Sequence, residues 1–199
     1  MNPRPVVLAL GSNLGDRLAN LQAGIDALAA APGITPTAVS AVFETSPVGG
    51  PDQPDYLNAV LLASSDRPAA EILGRCQAAE QARGRERRVR WGPRTLDIDI
   101  IACGDETSDG PRLTLPHPRA HERAFVLVPW HDVDPDASLH EFGPVTDLIA
   151  RLGTGAGSGG PGGSGGSGGS AAGAGAGTVR RRSDLRLTVR GRATANQGG

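Results

Sequence analysis

Asp97 and Asp99 stand two residues apart in the run Leu96-Asp97-Ile98-Asp99-Ile100-Ile101. The apolar neighbours predict a strand, and because side chains alternate along a strand, both carboxylates project from one face. Two hard oxygen donors side by side can hold a divalent cation. Just upstream, Arg83, Arg85, Arg87, Arg88, Arg90 and Arg94 supply guanidinium forks able to grip the phosphates such a cation would bridge. Carboxylates for metal beside arginines for phosphate point to phosphoryl or nucleotidyl transfer. The competing reading is a surface strand edged with acids for solubility. Against it, an acid set into an otherwise apolar strand needs compensation.

The elements that must position this pair follow from periodicity and punctuation. Residues 6–10 form an apolar run stopped by Gly11-Ser12-Asn13, a buried strand entering a turn. Leu18, Leu21, Ile25 and Leu28 recur at helical spacing over residues 17–30, and Pro32-Gly33 ends the segment. Residues 37–45 alternate as a strand with Val39, Ala41 and Phe43 on one face, and 46–54 carry too much Pro and Gly to extend it. Residues 58–63 predict a strand that returns antiparallel to the last. Residues 68–83 predict a helix with Ile72, Leu73, Cys76 and Ala79 inward and Gln77 and Glu80 three apart on one face. After the arginine-rich loop comes the Asp97/Asp99 strand. The order strand, helix, strand, strand, helix, strand is that of a ferredoxin-like α+β sandwich, an antiparallel sheet with helices packed on it. Residues 113–117 read as a short extended segment, 120–128 as a helix, and 144–152 as a closing helix.

Composition divides the 199 residues. Residues 1–152 suffice for one domain with a real core. Residues 153–177 hold 14 glycines in 25 positions and no charge, and read as a flexible linker. Residues 178–199 carry six arginines against Asp184 alone, whereas residues 1–152 have 14 arginines against 20 acids. A net charge of −1 thus hides two opposite halves. All 20 basic residues are arginine, a compositional bias that gives no single arginine a special role. Cys76 and Cys103 lack metal or framework spacing, consistent with a reducing compartment. No run approaches the roughly 18 apolar residues of a membrane span, and the start lacks the apolar core of a signal peptide. A cytoplasmic protein without membrane partners is expected.

Four motifs occur in order: Leu10-Gly11-Ser12-Asn13-Leu14-Gly15; Pro51-Asp52-Gln53-Pro54-Asp55-Tyr56-Leu57-Asn58; Arg90-Trp91-Gly92-Pro93-Arg94-Thr95-Leu96-Asp97-Ile98-Asp99; and Leu115-Pro116-His117 followed by Arg123-Ala124-Phe125. Together they resemble the 6-hydroxymethyl-7,8-dihydropterin pyrophosphokinase family of folate biosynthesis, over about residues 6–150. The resemblance implies transfer of diphosphate from ATP, the co-substrate, to the pterin hydroxymethyl group, with AMP released. It implies that Asp97 and Asp99 hold two Mg2+ ions, with Arg94 and Arg88 in the catalytic set, and that Arg85, Arg87, Arg88 and Arg90 lie in a loop closing over ATP. A solvated surface role competes for each of these loop arginines. The resemblance further implies a pterin site of Thr45, Ser46, Val48, Tyr56, Asn58, Trp91 and Phe125. Its nucleotide contacts are Gln77, Arg94, Ile100, Arg112, Thr114, His117 and Arg123. Gly11 and Asn13 are expected to shape the pterin floor, since Gly11–Gly15 lacks the Lys-Ser/Thr ending of a nucleotide P-loop. Phe125 as a core residue is the plainer alternative to stacking. No strong base for the hydroxyl is evident, so metal and orientation are expected to lessen the need for one.

A second reading belongs to another class: a nucleic-acid-binding or scaffolding protein acting through Arg180, Arg181, Arg182, Arg186, Arg190 and Arg192 on the glycine tether. A solvated, disordered extension is the expectation for this tail, although the alternation of Leu185, Leu187 and Val189 leaves open a short strand that docks. The catalytic domain is expected to act as a monomer.

Overall fold

The structure is a computed structural model that describes residues 2–47, 53–84, 93–153 and 178–189. Its central strand, β1 (Arg4–Ser12), is apolar on both faces because both faces are covered. Val6, Leu8 and Leu10 pack against Leu21, Ile25 and Leu28 of α1 (Arg17–Ala30) and Ile72 and Cys76 of α2 (Ala69–Ala82). Val7, on the other face, meets Val126, Leu127 and Trp130 of α3 (Ala124–Val133) and Val145 and Leu148 of α4 (Val145–Arg151). The apolar stripe of α1 is the one its spacing predicts, and Asp16 starts the helix by accepting the Ala19 amide at 3.0 Å.

Around β1 the remaining strands are β2 (Ile34–Val39), β3 (Val42–Thr45), β4 (Tyr56–Ser65) and β5 (Asp97–Cys103). β1 lies between β4 and β5, antiparallel to both, and β2 and β3 follow one another along the far side of β4. This is the expected ferredoxin-like order. The single strand predicted for residues 37–45 is broken at Ser40-Ala41. There the Ser40 hydroxyl oxygen accepts the Val60 amide at 2.9 Å, and the Ala41 amide turns to the Asp132 carboxylate at 2.8 Å.

The β1–β5 ladder shifts register between Val7 and Leu8, leaving Ile101 as the extra residue. Ile98, Ile100 and Cys103 therefore enter the core under α1 and α2, while Ile101 and Ala102 face α3. Asp97 and Asp99 alternate with Ile98 and Ile100, so they lie on the α3 side. β5 is an edge strand, and its outward amide at Ile98 donates to Glu80 of α2 at 2.8 Å. Glu80 is 3 % exposed, so a carboxylate predicted only to share a helix face with Gln77 is built into the joint between α2 and the acidic strand.

Two expectations are corrected beyond β5. The chain forms a hairpin, β6 (Ser108–Gly110) and β7 (Leu113–Leu115). The helix predicted from residue 120 is then a 3-10 turn over Ala120–Glu122 followed by α3 from Ala124, because Arg123 takes an extended backbone between them. A small hairpin, β8 (Ser138–Leu139) with β9 (Gly143–Pro144), precedes α4. The second correction concerns the tail, where Val179–Arg182 forms β10, antiparallel to β3, as the outermost strand of the sheet. Leu185, Leu187 and Val189 pack on the core under α1 and α2. Their alternation was the signal, and the docked alternative replaces the solvated one for residues 178–189. Residues 154–177 and 190–199, with Arg190 and Arg192, lie outside the described residues. Among the described residues, no helix is long and apolar enough to cross a membrane.

Removing Glu80 leaves the buried Ile98 amide without its acceptor. Glu80→Ala is expected to cost about 1–3 kcal/mol, read as a lower urea midpoint, together with faster hydrogen exchange at the Ile98 amide.

Candidate active site

Strand register assembles the site. Gly11 of β1 is the cross-strand partner of Asn58 on β4 and of Asp97 on β5, and Asn58 is the partner of Phe43 on β3. One row thus runs across four strands on the α3 face. It presents an amide, a position without a side chain, and a carboxylate. A Cβ added at Gly11 would stand 3.2 Å from the Asn58 side-chain oxygen and 3.7 Å from the Tyr56 ring, so the glycine keeps the middle of the row flat. Asn58 is buried and donates its amide to the Thr45 hydroxyl at 2.8 Å. Tyr56 is half-buried, donates its hydroxyl to Gln53 at 3.3 Å, and has its ionisation pushed up by burial.

Asn13, 2 % exposed, ties the two loops that flank this row. Its side-chain oxygen accepts the Arg94 amide at 2.7 Å, its amide donates to the Gln53 side chain at 3.0 Å and to the Pro54 carbonyl at 3.2 Å, and its backbone N–H donates to the Arg94 carbonyl at 3.0 Å. Ser12 adds a hydroxyl bond to the Thr95 carbonyl at 2.6 Å. Gly11 thus leaves a gap in the row, and Ser12 and Asn13 form the clasp beside it.

Cations gather on the acidic end of the row. Arg94 pairs with Asp97, and Arg123 donates to Asp99 at 3.2 Å. His117 Nε2 lies 3.9 Å from the same Asp99 oxygen and 3.3 Å from Arg123 Nη1. The His117 backbone N–H donates to the Ile101 carbonyl at 2.9 Å, which holds the residue against β5. Burial first, and Arg123 after it, push its imidazole below the ordinary histidine range, overriding Asp99. The ring is therefore neutral at neutral pH. Its Nδ1 accepts the Arg119 amide at 3.1 Å, while Nε2 faces Arg123 and Asp99. Arg123 also lies 5.5 Å from the centre of the Phe125 ring, and Phe125, half-buried, packs against the α3-side core.

Other expected contacts stand further off. Ile100 is 3 % exposed with its side chain in the core under α1 and α2, so a nucleotide can meet only its main chain. Because the Ile98 amide points away from β1, the main-chain groups of Ile100 two residues on face the same open edge. Gln77 is half-buried on α2, Ser46 is exposed just past β3, Thr114 is exposed on β7, and Arg112 is exposed in the hairpin turn. Thr114 borders a depression of about 540 Å³ whose other walls include Asp109, Pro118, Glu141 and Phe142. That depression shares no lining residue with the acidic row. Val48, Arg85, Arg87, Arg88, Arg90 and Trp91 lie outside the described residues.

Two carboxylates are too few to cage a cation, and no cluster of three or more metal-ligating side chains occurs among the described residues. Mg2+ is commonly held by one or two carboxylates, with water and substrate phosphates completing its shell. The half-exposed Asp97 and Asp99, ringed by Arg94, Arg123 and a neutral histidine, fit that pattern.

Sequence reading missed Glu44. It is 8 % exposed, and its carboxylate receives Arg17 at 3.1 Å and Arg182 at 3.0 Å, with Arg180 on the same oxygen as Arg182. These cations outweigh burial and hold its ionisation below the usual carboxylate range. The local signal was an acid inside the apolar run Val42-Phe43-Glu44-Thr45, but two of its partners, Arg180 and Arg182, lie more than 130 residues away. Arg181 meets Asp132 at 3.3 Å, so three of the six tail arginines are paired with carboxylates of the domain.

Comparison with known proteins shows the family. Residues 7–135 match the family model of 7,8-dihydro-6-hydroxymethylpterin-pyrophosphokinase. The 2-amino-4-hydroxy-6-hydroxymethyldihydropteridine pyrophosphokinase of Mycobacterium tuberculosis is 49% identical over 162 residues, covering 74% of this chain and 83% of that protein. The Pseudomonas aeruginosa protein of the same name is 40% identical over 145 residues, covering 73% and 90%. Among solved structures, Plasmodium falciparum HPPK-DHPS superposes with a TM-score of 0.57 at 13% identity, over 75% of this chain and 44% of that longer one, a likeness of fold. The chain belongs to the 7,8-dihydro-6-hydroxymethylpterin-pyrophosphokinase family and is a diphosphate-transferring enzyme of folate biosynthesis with ATP as co-substrate.

Proposed function

We propose that the row Asn58–Gly11–Asp97 is where the two substrates meet, the pterin over Asn58 and Gly11 and the ATP phosphates over Asp97 and Asp99. The observation that carries this is the register placing an amide, a gap and an acid side by side on one face. Asn58 offers both a donor and an acceptor to the edge of an aminopyrimidinone. Gly11 leaves room for a flat ring, and Thr45, by accepting from Asn58, fixes which way the amide points. Tyr56, Ser46 and Phe125 complete this side, with Val48 and Trp91 from the neighbouring loops.

On the other side Asp97 and Asp99 would hold two Mg2+ ions. Bound there, the ions would supply charge neutralisation of the phosphate oxygens and help align the reacting atoms. Arg94 and Arg123 are placed to turn from the carboxylates toward phosphate, with Arg88 joining them from the loop. His117 turns its Nε2 edge to the same place without adding a full charge. Gln77, the main chain of Ile100, Arg112 and Thr114 would receive the nucleotide along the open edge of β5 and the β6–β7 hairpin. The pterin hydroxymethyl oxygen then attacks the β-phosphorus, the bond to the bridging α–β oxygen breaks, and AMP leaves. Orientation and electrostatics supply most of the rate.

Incubation with ATP and the pterin should therefore release AMP in proportion to pterin diphosphate; ADP as the sole nucleotide product would refute the reading. Asp97→Ala and Asp99→Ala should each lower kcat by more than about 100-fold while thermal unfolding stays near that of the parent, and retained turnover in both would remove them from the metal site. Gly11→Val, which fills the gap, should raise the KM for the pterin roughly 5- to 150-fold, the equivalent of about 1–3 kcal/mol of overpacking, with little change in the KM for ATP.

A further inference from the structure

The segment 178–189 grips β3 along its whole length. Main-chain pairing runs from Val179 opposite Thr45 to Arg182 opposite Val42. Side chains reinforce both ends. Arg180 and Arg182 converge on one Glu44 oxygen, while Arg17 on the other oxygen also donates to the Asp55 carbonyl at 2.7 Å, immediately before Tyr56. At the opposite end Arg181 holds Asp132 Oδ1, and Asp132 Oδ2 accepts the Ala41 amide that leads into β3. Further along, Gln22 of α1 and Thr188 exchange bonds, side-chain amide to carbonyl at 2.9 Å and backbone N–H to side-chain oxygen at 3.0 Å. Leu185, Leu187 and Val189 bury part of their surface on the core.

β3 is short, only Val42–Thr45, and without β10 it would be the sheet edge. Yet its last residue fixes Asn58, and the acid before it is joined through Arg17 to the segment that delivers Tyr56. We infer that segment 178–189 is a strap that positions the pterin side of the site, with Arg180 and Arg182 as positioning residues acting through Glu44. This rests on the reading of Thr45, Tyr56 and Asn58 as pterin contacts. The strap touches none of Asp97, Asp99, Arg94, Arg123 or His117 in any hydrogen bond or ion pair found among the described residues, so its influence should fall on one substrate.

The test is a steady-state comparison of the full chain with its Arg180→Ser/Arg182→Ser variant. The expected result is a KM for the pterin raised at least fivefold, a KM for ATP and a kcat within twofold, and faster hydrogen exchange across residues 42–45. Arg180→Lys/Arg182→Lys should recover most of the pterin affinity, and Arg186→Ser should change nothing. Faster exchange with an unchanged pterin KM, or an equal rise in both KM values, would overturn the strap's role. Asn58→Ala separates the two levels: if it leaves the pterin KM unaltered, the site reading fails, whereas a raised KM there with none in the double arginine variant refutes the strap alone. Should the double variant not fold, a protease sequence inserted in the glycine-rich stretch lets the strap be cut from the folded chain. Loss of pterin affinity after the cut piece is washed away, reversed by a peptide of residues 178–199, supports the inference; unchanged affinity contradicts it.

Discussion

The position of β1 between β4 and β5 is the constraint on which the rest depends. Because β1 pairs antiparallel with both neighbours, Gly11 is fixed beside Asn58 on one side and Asp97 on the other, and neither can move without shearing a ladder. A slip of one residue would turn every side chain to the opposite face. The apolar faces of β1 prevent that slip, since Val6, Leu8 and Leu10 must meet α1 and α2 while Val7 meets α3. The core thereby sets the spacing between the proposed place for a flat heterocycle and the proposed place for phosphates. The bulge at Ile101 completes the arrangement, returning β5 to the core beyond the acids while leaving Asp97 and Asp99 on the face where Arg123 and His117 reach them.

The two edges of the sheet are closed by different means, and each closure lies beside one of the two proposed substrate places. At β5, a buried glutamate of α2 takes an outward amide and leaves the neighbouring main chain open. At β3, a strand from the far end of the chain adds to the sheet. This second closure explains the division of charge along the sequence. The arginine-rich segment meets Glu44 and Asp132 of the acidic domain, so the two halves complement one another in the folded chain. Exposed ion pairs contribute little individually, but Glu44 is mostly removed from water, and a carboxylate so placed is costly without its cations.

Much of this was legible in the residues. The strand and helix order followed from periodicity, and the acidic pair followed from alternation in an apolar strand. What escaped had causes that sequence spacing does not carry. The break between β2 and β3 comes from an Asp132 carboxylate on a distant helix taking the Ala41 amide. The late start of α3 comes from the extended backbone of Arg123, which puts its guanidinium between Asp99 and Phe125. Composition made 178–199 look solvated, because six arginines with Asp184 as their one nearby acid resemble a free tail. Glu44 stands more than 130 residues from Arg180 and Arg182, and Asp132 belongs to α3, so only Leu185, Leu187 and Val189 hinted at contact. Ile100 matched a nucleotide contact in the family, and burial shows that only its main chain can serve.

Everything proposed for the site turns on Asp97 and Asp99 together holding the divalent metal at which the substrates would be joined. The most direct measurement is the stoichiometry of Mn2+ bound in the presence of a non-hydrolysable ATP analogue, followed by electron paramagnetic resonance for the parent chain and for Asp97→Asn/Asp99→Asn. Two tightly bound ions per chain are expected in the parent, and none retained by the doubly substituted protein at the same free metal concentration. An unchanged stoichiometry and affinity in the substituted protein would contradict that expectation.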